Sequence, residues 1–308
     1  MRYKKISVLI VTYKQADVIG RNIESILQQK EYGLHEIVIC DDCSPDNNWA
    51  VIQNYAEMYP NIIRAYRNNH NLGIYGNSDK CASLHGDADL FCWLEGDDAL
   101  EPNFFKSVQD FIAENNIDTT GAIGIFGNYS LIKPSGEKTV RSNANILQSY
   151  SPLSLYIRNI VSWRASLFSK SVIEQFRPTV LDRGLGLAEI LFDSQWFMYI
   201  DKVYYCNILG SIYYQGIGVS QNLGIGSSFR GEQSVVKWKY LLDHKISNID
   251  KDLYWIKFKI NQSKFLVRPS LLYFLRSLFY YSLGIIRPMW GLSYVRRDFY
   301  LIFRRIKG

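Results

Sequence analysis

The chain has no run of about eighteen uncharged apolar residues, the length a membrane-crossing helix needs. The longest candidate, near the C-terminus, is interrupted by Arg276 and Arg287, so no transmembrane helix is expected. A secretory pattern is also missing: Met1-Arg2-Tyr3-Lys4-Lys5 leads straight into a strand signal without a small-residue cleavage site. Cysteine is sparse, five in 308 residues, and the odd number argues against a disulfide framework. Free thiols in a reducing cytoplasm are expected instead. Cys40-x-x-Cys43 has redox or zinc spacing, but no second Cys pair or His pair accompanies it, and the spacing reads as accidental. His35, His70, His85 and His244 stand at no ligand spacing either. Internal repeats and low-complexity tracts are absent.

What is present is a globular composition, 47% apolar and 15% aromatic, long enough for one large domain and an appendage. The formal charge of +6 is uneven. From Lys264 onward nine Lys/Arg face one acid, Asp298, a net +8 that leaves about −2 for the remainder. A slightly acidic body therefore carries a basic, aromatic tail, and the two parts are expected to meet different partners.

The first 130 residues alternate strand and helix signals. Strands are expected at Ile6–Val11, Glu36–Cys40, Ile62–Tyr66 and Ala88–Leu94. Helices are expected at Asp17–Gln29, where Val18, Ile19, Ile23, Ile26 and Leu27 form one apolar face, and at Asn47–Met58. A Gly-punctuated loop, Asn69 to Gly76, precedes a helix over Asn77–Leu84, and Pro102 opens another over Asn103–Glu114. Such alternation predicts a parallel, doubly wound sheet. Farther on, the pattern predicts a strand at Ala122–Tyr129 and a hairpin-like turn over Lys133–Lys138. It also predicts helical segments near 152–159, 168–176 and Ala188–Ile200. Strands at Val203–Cys206 and Ser211–Tyr214 and a mobile Gly216–Ser220 loop follow, then mostly helical pattern from Phe229.

Two acidic clusters follow strand signals: Asp41-Asp42 after Glu36–Cys40, and Glu95-Gly96-Asp97-Asp98 after Leu90–Leu94. Short apolar runs of this kind suit strands buried on both faces of a parallel sheet. Ligands of open α/β sheets bind beyond the carboxyl ends of such strands. Carboxylates gathered there repel one another unless a positive or hydrogen-bonding group joins them, and a divalent metal carrying a nucleoside diphosphate fits. Each cluster alone also reads as turn or helix-cap chemistry. Their recurrence about 55 residues apart in one alternating run points to a shared cleft.

Four segments carry a resemblance: Ile6–Tyr13, Glu36–Ser44, Asn71-Leu72-Gly73 with Asn77, and Leu94–Asp98. In that order and spacing they resemble inverting family 2 glycosyltransferases of the GT-A fold, including those of bacterial O-antigen and capsule synthesis. The resemblance covers residues 5–115 strongly and 116–225 weakly. It implies an α/β, Rossmann-like, mostly parallel central sheet with a C-terminal helical extension. The implied domains are a catalytic one over 1–225, with its nucleotide-sugar half at 1–115 and acceptor half at 116–225, and an extension over 226–308. It implies that Thr12 and Tyr13 lie against the nucleotide, Asp42 contacts the base, Asp97 sits near the ribose and donor sugar, and Asp98 ligates Mg²⁺ or Mn²⁺. The implied activity is transfer of a hexose or N-acetylhexosamine from a UDP-sugar to a lipid-linked (polyprenyl diphosphate) glycan. Two departures stand out: Glu95 where the family usually has Asp, and Cys43 where Gly is common.

An inverting transfer needs a base beside the attacking hydroxyl. The family takes it from an acidic pair opening a helix, and the matching stretch here, Gly186–Asp193, lacks the pair. Glu189 is the candidate base and Asp193 its rival; a Glu at a helix N-terminus is also ordinary dipole chemistry. Trp196 on the same helix is an acceptor-subsite candidate or a plain core residue. A catalytically weakened nucleotide-sugar binder or scaffold remains the alternative. A nucleotidyltransferase would need a Gly-rich phosphate loop, and Thr12-Tyr13-Lys14-Gln15-Ala16 has no glycine.

The tail from Phe265 to Lys307 combines eleven aromatic residues with eight Lys/Arg. Leu271–Ile286 and Trp290–Ile306 suit amphipathic helices on an anionic membrane surface, at about 1 kcal/mol per basic residue. The same pattern allows helices packed on the catalytic domain, or a homodimer interface. Basic residues mixed with Leu and Tyr clusters do not suit a nucleic-acid groove, and no nucleic acid is expected. The implied location is the inner face of the cell membrane.

Overall fold

The computed structural model describes residues 3–148, 152, 155, 161–176 and 195–217. The chain divides into two compact units, and every described residue belongs to the first, Met1–Asp182 with Leu191–Asn222. The remaining stretches, Arg183–Ile190 and Leu223–Gly308, lie outside the described residues. So do the expected amphipathic tail helices.

The alternating half folds as its pattern dictates. It runs β1 (Ile6–Thr12), α1 (Ile19–Leu27), β2 (Leu34–Asp41), α2 (Asn48–Met58), β3 (Ile63–Arg67), α3 (Gly73–Ser83) and β4 (Leu90–Glu95). Strands β1, β2, β3 and β4 pair in parallel in the order β3-β2-β1-β4. The central strand β1 is buried along its whole length. Its alternate residues Ile6, Val8 and Ile10 join Ile37, Ile39, Leu90, Cys92 and Leu94 in one core. Ile19, Ile23, Ile26 and Leu27 of α1 seal that face, as their helical spacing predicts. Each fully buried Ile, Val or Leu contributes about 1.5–3 kcal/mol.

The second half adds β5 (Ala99–Leu100), α4 (Phe104–Glu114), β6 (Ile123–Ile132), β7 (Lys138–Arg141), β8 (Ser166–Ser169), α5 (Lys170–Ile173) and β9 (Lys202–Tyr214). Strand β8 inserts antiparallel between β4 and β6, and β9 runs parallel to β6. Among the described residues the sheet thus has nine strands, ordered β3-β2-β1-β4-β8-β6-β9-β5, with β7 on β6.

Four expectations are corrected. Helix α3 begins at Gly73, not Asn77, because Gly73 takes φ 75°, a left-handed start that glycine adopts without steric cost. The stretch expected to be helical at 168–176 begins as strand β8, whose Leu167 and Phe168 are buried between β4 and β6. The two short strands at 203–214 are one strand with register shifts around Asn128 of β6. The strand expected to end at Tyr129 runs on to Ile132, into the hairpin over Lys133–Glu137. The stretch around 152–159 lies largely outside the described residues.

Candidate active site

Parallel pairing brings the strand ends to one edge of the sheet. In register, Thr12 of β1 faces Asp41 of β2, and Val11 faces Glu95 of β4. Flanking strands lie about 10 Å apart across β1, so both acidic turns border the same β1 end. Backbone bonds tie them to it: Asp42 N–H donates to Thr12 O at 3.0 Å, and Gly96 N–H donates to Val11 O at 3.0 Å. A Cβ on Gly96 would stand 2.8 Å from Thr12 Cβ, so only glycine permits this approach.

On the β2 side Asp41 is fully buried and structural. Its carboxylate accepts from Ser44 N–H at 3.0 Å and Asn48 Nδ2 at 2.7 Å, and pairs with Arg67 at 3.4 Å. Asp42 uses one oxygen, Oδ1, for Asn68 Nδ2 at 2.8 Å and Leu72 N–H at 2.7 Å. Asn77 fixes the same corner, donating to Cys40 O while accepting from Asn68. Cys43 follows with φ 56°, a left-handed conformation that explains why glycine is common there. Thr12 is buried, donating its hydroxyl to Gln15 Oε1 at 2.7 Å, and Tyr13 is half-buried under Lys14 Nζ at 5.2 Å.

On the β4 side Asp97 and Asp98 are 7% and 1% exposed. Burial, then the neighbouring Glu95, pushes the Asp97 carboxyl up to about 6. Burial raises Asp98 well above the usual carboxylate range, with Arg164 pulling the other way. Asp98 Oδ1 accepts from Tyr214 N–H at 3.4 Å, and Oδ2 lies 3.5 Å from Arg164 Nε. Both contacts are long, so this carboxylate is lightly held. Among the described residues no three His, Cys, Asp or Glu side chains converge as a metal cage. Mg²⁺ and Mn²⁺ sites need only one or two carboxylates where phosphates and water complete the shell, and the hard oxygens of Asp98 and its neighbour fit that chemistry.

Three residues of this corner escaped sequence reasoning. Buried Asn22, on the apolar face of α1, donates to Glu95 O at 2.8 Å and Asp98 O at 3.0 Å. Arg21 donates to Asp97 O at 2.7 Å and stacks over the Tyr214 ring at 3.6 Å. Arg164 pairs with Glu95 at 3.0 Å. The signals were a buried-face Asn among Ile and Leu, and a lone charged residue, Arg164, in the otherwise uncharged stretch from Val161 to Phe168.

The structure therefore gathers Thr12, Tyr13, Asp42, Asp97 and Asp98 at one edge. Glu189 and Asp193 lie outside the described residues, as does Gly218–Ser220 of the expected loop. Of the two readings of Trp196, acceptor subsite or core, its burial fits the core. It is fully buried, with Phe168 and Phe176 each 4.5 Å away between ring centroids and Trp93 at 6.0 Å. Aromatic neighbours cover the faces a sugar would stack on, so its place is the core.

A Rossmann-like sheet with acidic turns flanking its central strand defines a nucleotide-sugar-transferase type of fold. The chain belongs to glycosyl transferase family 2, whose model matches residues 7–175. It is 26% identical over 214 residues to the processive diacylglycerol beta-glycosyltransferase of Mycoplasma pneumoniae, covering 64% of this chain and 62% of that protein. It is 25% identical to the poly(ribitol-phosphate) beta-N-acetylglucosaminyltransferase TarP of Staphylococcus aureus, covering 59% and 51%. The chain thus spans roughly 50 to 60% of the length of these curated relatives. Among solved structures, S. aureus TarS 1-349 in complex with UDP-GlcNAc superposes at TM-score 0.64, with 15% identity over 97% of this chain and 89% of that one. GalNAc-T7 with UDP, GalNAc and Mn²⁺ superposes at TM-score 0.53, with 13% identity over 88% and 53%. The shared fold is GT-A.

Proposed function

We propose that the chain is a metal-dependent inverting glycosyltransferase that moves a hexose or N-acetylhexosamine from a UDP-sugar to a lipid-linked glycan in bacterial surface polysaccharide synthesis. The observation that carries the reading is the meeting of both acidic turns at the end of β1, tied to Val11 and Thr12 by backbone bonds.

In this reading the half-buried Tyr13 and Oδ2 of Asp42 receive the base. Asn68 and Leu72 N–H occupy the other oxygen and fix the carboxylate's direction. Asp97 faces the ribose and donor sugar, and Asp98 holds the divalent ion. When bound, Mg²⁺ or Mn²⁺ acts as a Lewis acid that neutralises charge on the leaving diphosphate. Asn22 and Arg21 hold the acidic turn through its backbone carbonyls, which leaves its carboxylates free of those two side chains' hydrogen bonds. Glu189, or Asp193 in its stead, takes the proton from the acceptor hydroxyl. Support for the donor comes from the solved relatives that carry UDP-GlcNAc, or UDP with Mn²⁺. Support for a lipid-linked acceptor comes from the diacylglycerol-glycosylating relative and from the basic, aromatic tail over 226–308, which would sit peripherally on the membrane's inner face.

A donor screen reading UDP release, with Mg²⁺ and Mn²⁺ titrated separately, tests the reaction. Release from a UDP-hexose or UDP-N-acetylhexosamine, lost on chelation, is expected; no release from any UDP-sugar refutes it. Glu189→Gln at undiminished rate would reject that base. Flotation of the full chain with anionic but not neutral vesicles is expected from the tail.

A further inference from the structure

Arg164 is built into its position more firmly than a surface cation. Its guanidinium lies 4.7 Å from the Trp163 ring and 4.4 Å from the Tyr213 ring. Its carbonyl accepts from Asn143 Nδ2 at 3.1 Å, and the same amide nitrogen donates to Gly127 O and Ser162 O, both at 3.0 Å. Asn143 Oδ1 accepts from Ser162 N–H at 2.9 Å. Ala165, next in the chain, is held at φ 56°, a conformation that costs an L-residue free energy and persists only under restraint. This pedestal aims the guanidinium at the acidic turn, 3.0 Å from Glu95 and 3.5 Å from Asp98. Glu95 is the longer acid that departs from the family pattern, and that extra methylene carries its carboxylate to Arg164.

Given the reading of Asp98 as the ion's ligand, we propose that Arg164 is a fixed counter-cation of the acidic turn, making divalent-ion binding weak alone and tight only together with the donor's diphosphate. Two acids, Glu95 and Asp98, already pair with the Arg164 guanidinium, and Arg21 is bonded to the carbonyl of Asp97 between them. An ion binding Asp98 alone therefore meets a positive neighbour that its pedestal holds in place. Arrival of a diphosphate reverses the sign of that effect, because its negative charge attracts ion and guanidinium alike. Arg164 is thus a positioning residue that couples ion and donor binding. It also keeps the empty turn from accumulating uncompensated buried charge.

The test measures Mn²⁺ binding by the paramagnetic resonance signal of free Mn²⁺, on the full chain, with and without UDP. Wild type should bind Mn²⁺ at least tenfold more tightly with UDP than without it. R164Q should bind Mn²⁺ alone at least tenfold more tightly than wild type, and the UDP enhancement should fall below threefold. R164K, which keeps the charge, should restore most of the enhancement. E95Q leaves Asp98 as the guanidinium's one carboxylate partner in this pair and should enlarge the enhancement, a result independent of whether R164Q folds. A purely structural Arg164 would lower thermal stability and leave the enhancement unmoved. Unchanged enhancement in both R164Q and E95Q overturns this inference alone. Absence of Mn²⁺ binding in every protein, with UDP present, overturns the reading of Asp98 and this inference with it.

Discussion

Replacing Asn143 by alanine should destabilise the fold by about 3 kcal/mol. The side chain is 1% exposed and reaches three carbonyls and one N–H: Gly127 O, Ser162 O, Arg164 O and Ser162 N. An amide NH₂ has two hydrogens for three carbonyls, so one bond is shared and the total is about three full hydrogen bonds. Each contributes about 1 kcal/mol net, and more when its partner is left buried and unpaired. A water entering the vacated space would recover part of this and bring the loss nearer 2 kcal/mol. At about 2–4 °C per kcal/mol for a unit of this size, Tm should fall by about 6–12 °C in a thermal melt followed by tryptophan fluorescence. Asn143→Asp sharpens the test. It keeps the acceptor for Ser162 N–H but turns a second oxygen toward three carbonyls, so it should melt lower than the alanine variant. A fall under about 3 °C for alanine, or an aspartate variant more stable than the alanine one, would refute the pedestal argument.

Further outcomes can be measured independently. Asp42→Asn keeps the acceptor for Leu72 N–H and Asn68, so it should fold within about 1 kcal/mol of wild type by urea denaturation, with UDP affinity at least tenfold weaker by calorimetry. Cys43→Gly relieves the φ 56° conformation and should raise stability by about 0.5–1 kcal/mol, read as a higher urea midpoint at unchanged slope. Trp196→Ala empties a fully buried aromatic site and should cost about 3–5 kcal/mol by the same assay. Gly96→Ala puts a methyl group 2.8 Å from Thr12 Cβ, and should weaken UDP binding by displacing the two turns.

The parallel half was legible because two signals agreed. Apolar runs marked β1, β2 and β4, and the apolar face of α1 fixed which side it covers. The acidic turns were legible as neighbours at one sheet edge because they end buried strands. Strand β8 was not legible, since Ser166–Ser169 is four residues long and helix α5 follows at once, and periodicity cannot separate short strand from helix at that length. Gly73 misled in the other direction: the two glycines of Asn69–Gly76 read as loop, whereas one of them, left-handed Gly73, begins the helix. Trp196 could not be assigned from its helix alone, because its neighbours Phe168 and Trp93 come from strands distant in sequence. Asn22 and Arg164 were missed for a related reason. Their partners are backbone carbonyls and acids across the sheet, and no local motif encodes them.

The left-handed Cys43 has a practical consequence for anyone watching this molecule work. Of its five thiols, Cys40, Cys81, Cys92 and Cys206 are buried, and burial pushes Cys92 up to about 12 and Cys206 up to about 11. Cys43 is the one partly exposed, and it adjoins Asp42, the residue proposed to meet the base. A thiol-reactive fluorophore should therefore attach at a single place in the folded chain, without any engineered cysteine. On the proposed reading of Asp42, its emission would follow the arrival and departure of the nucleotide in real time, a native reporter already in place.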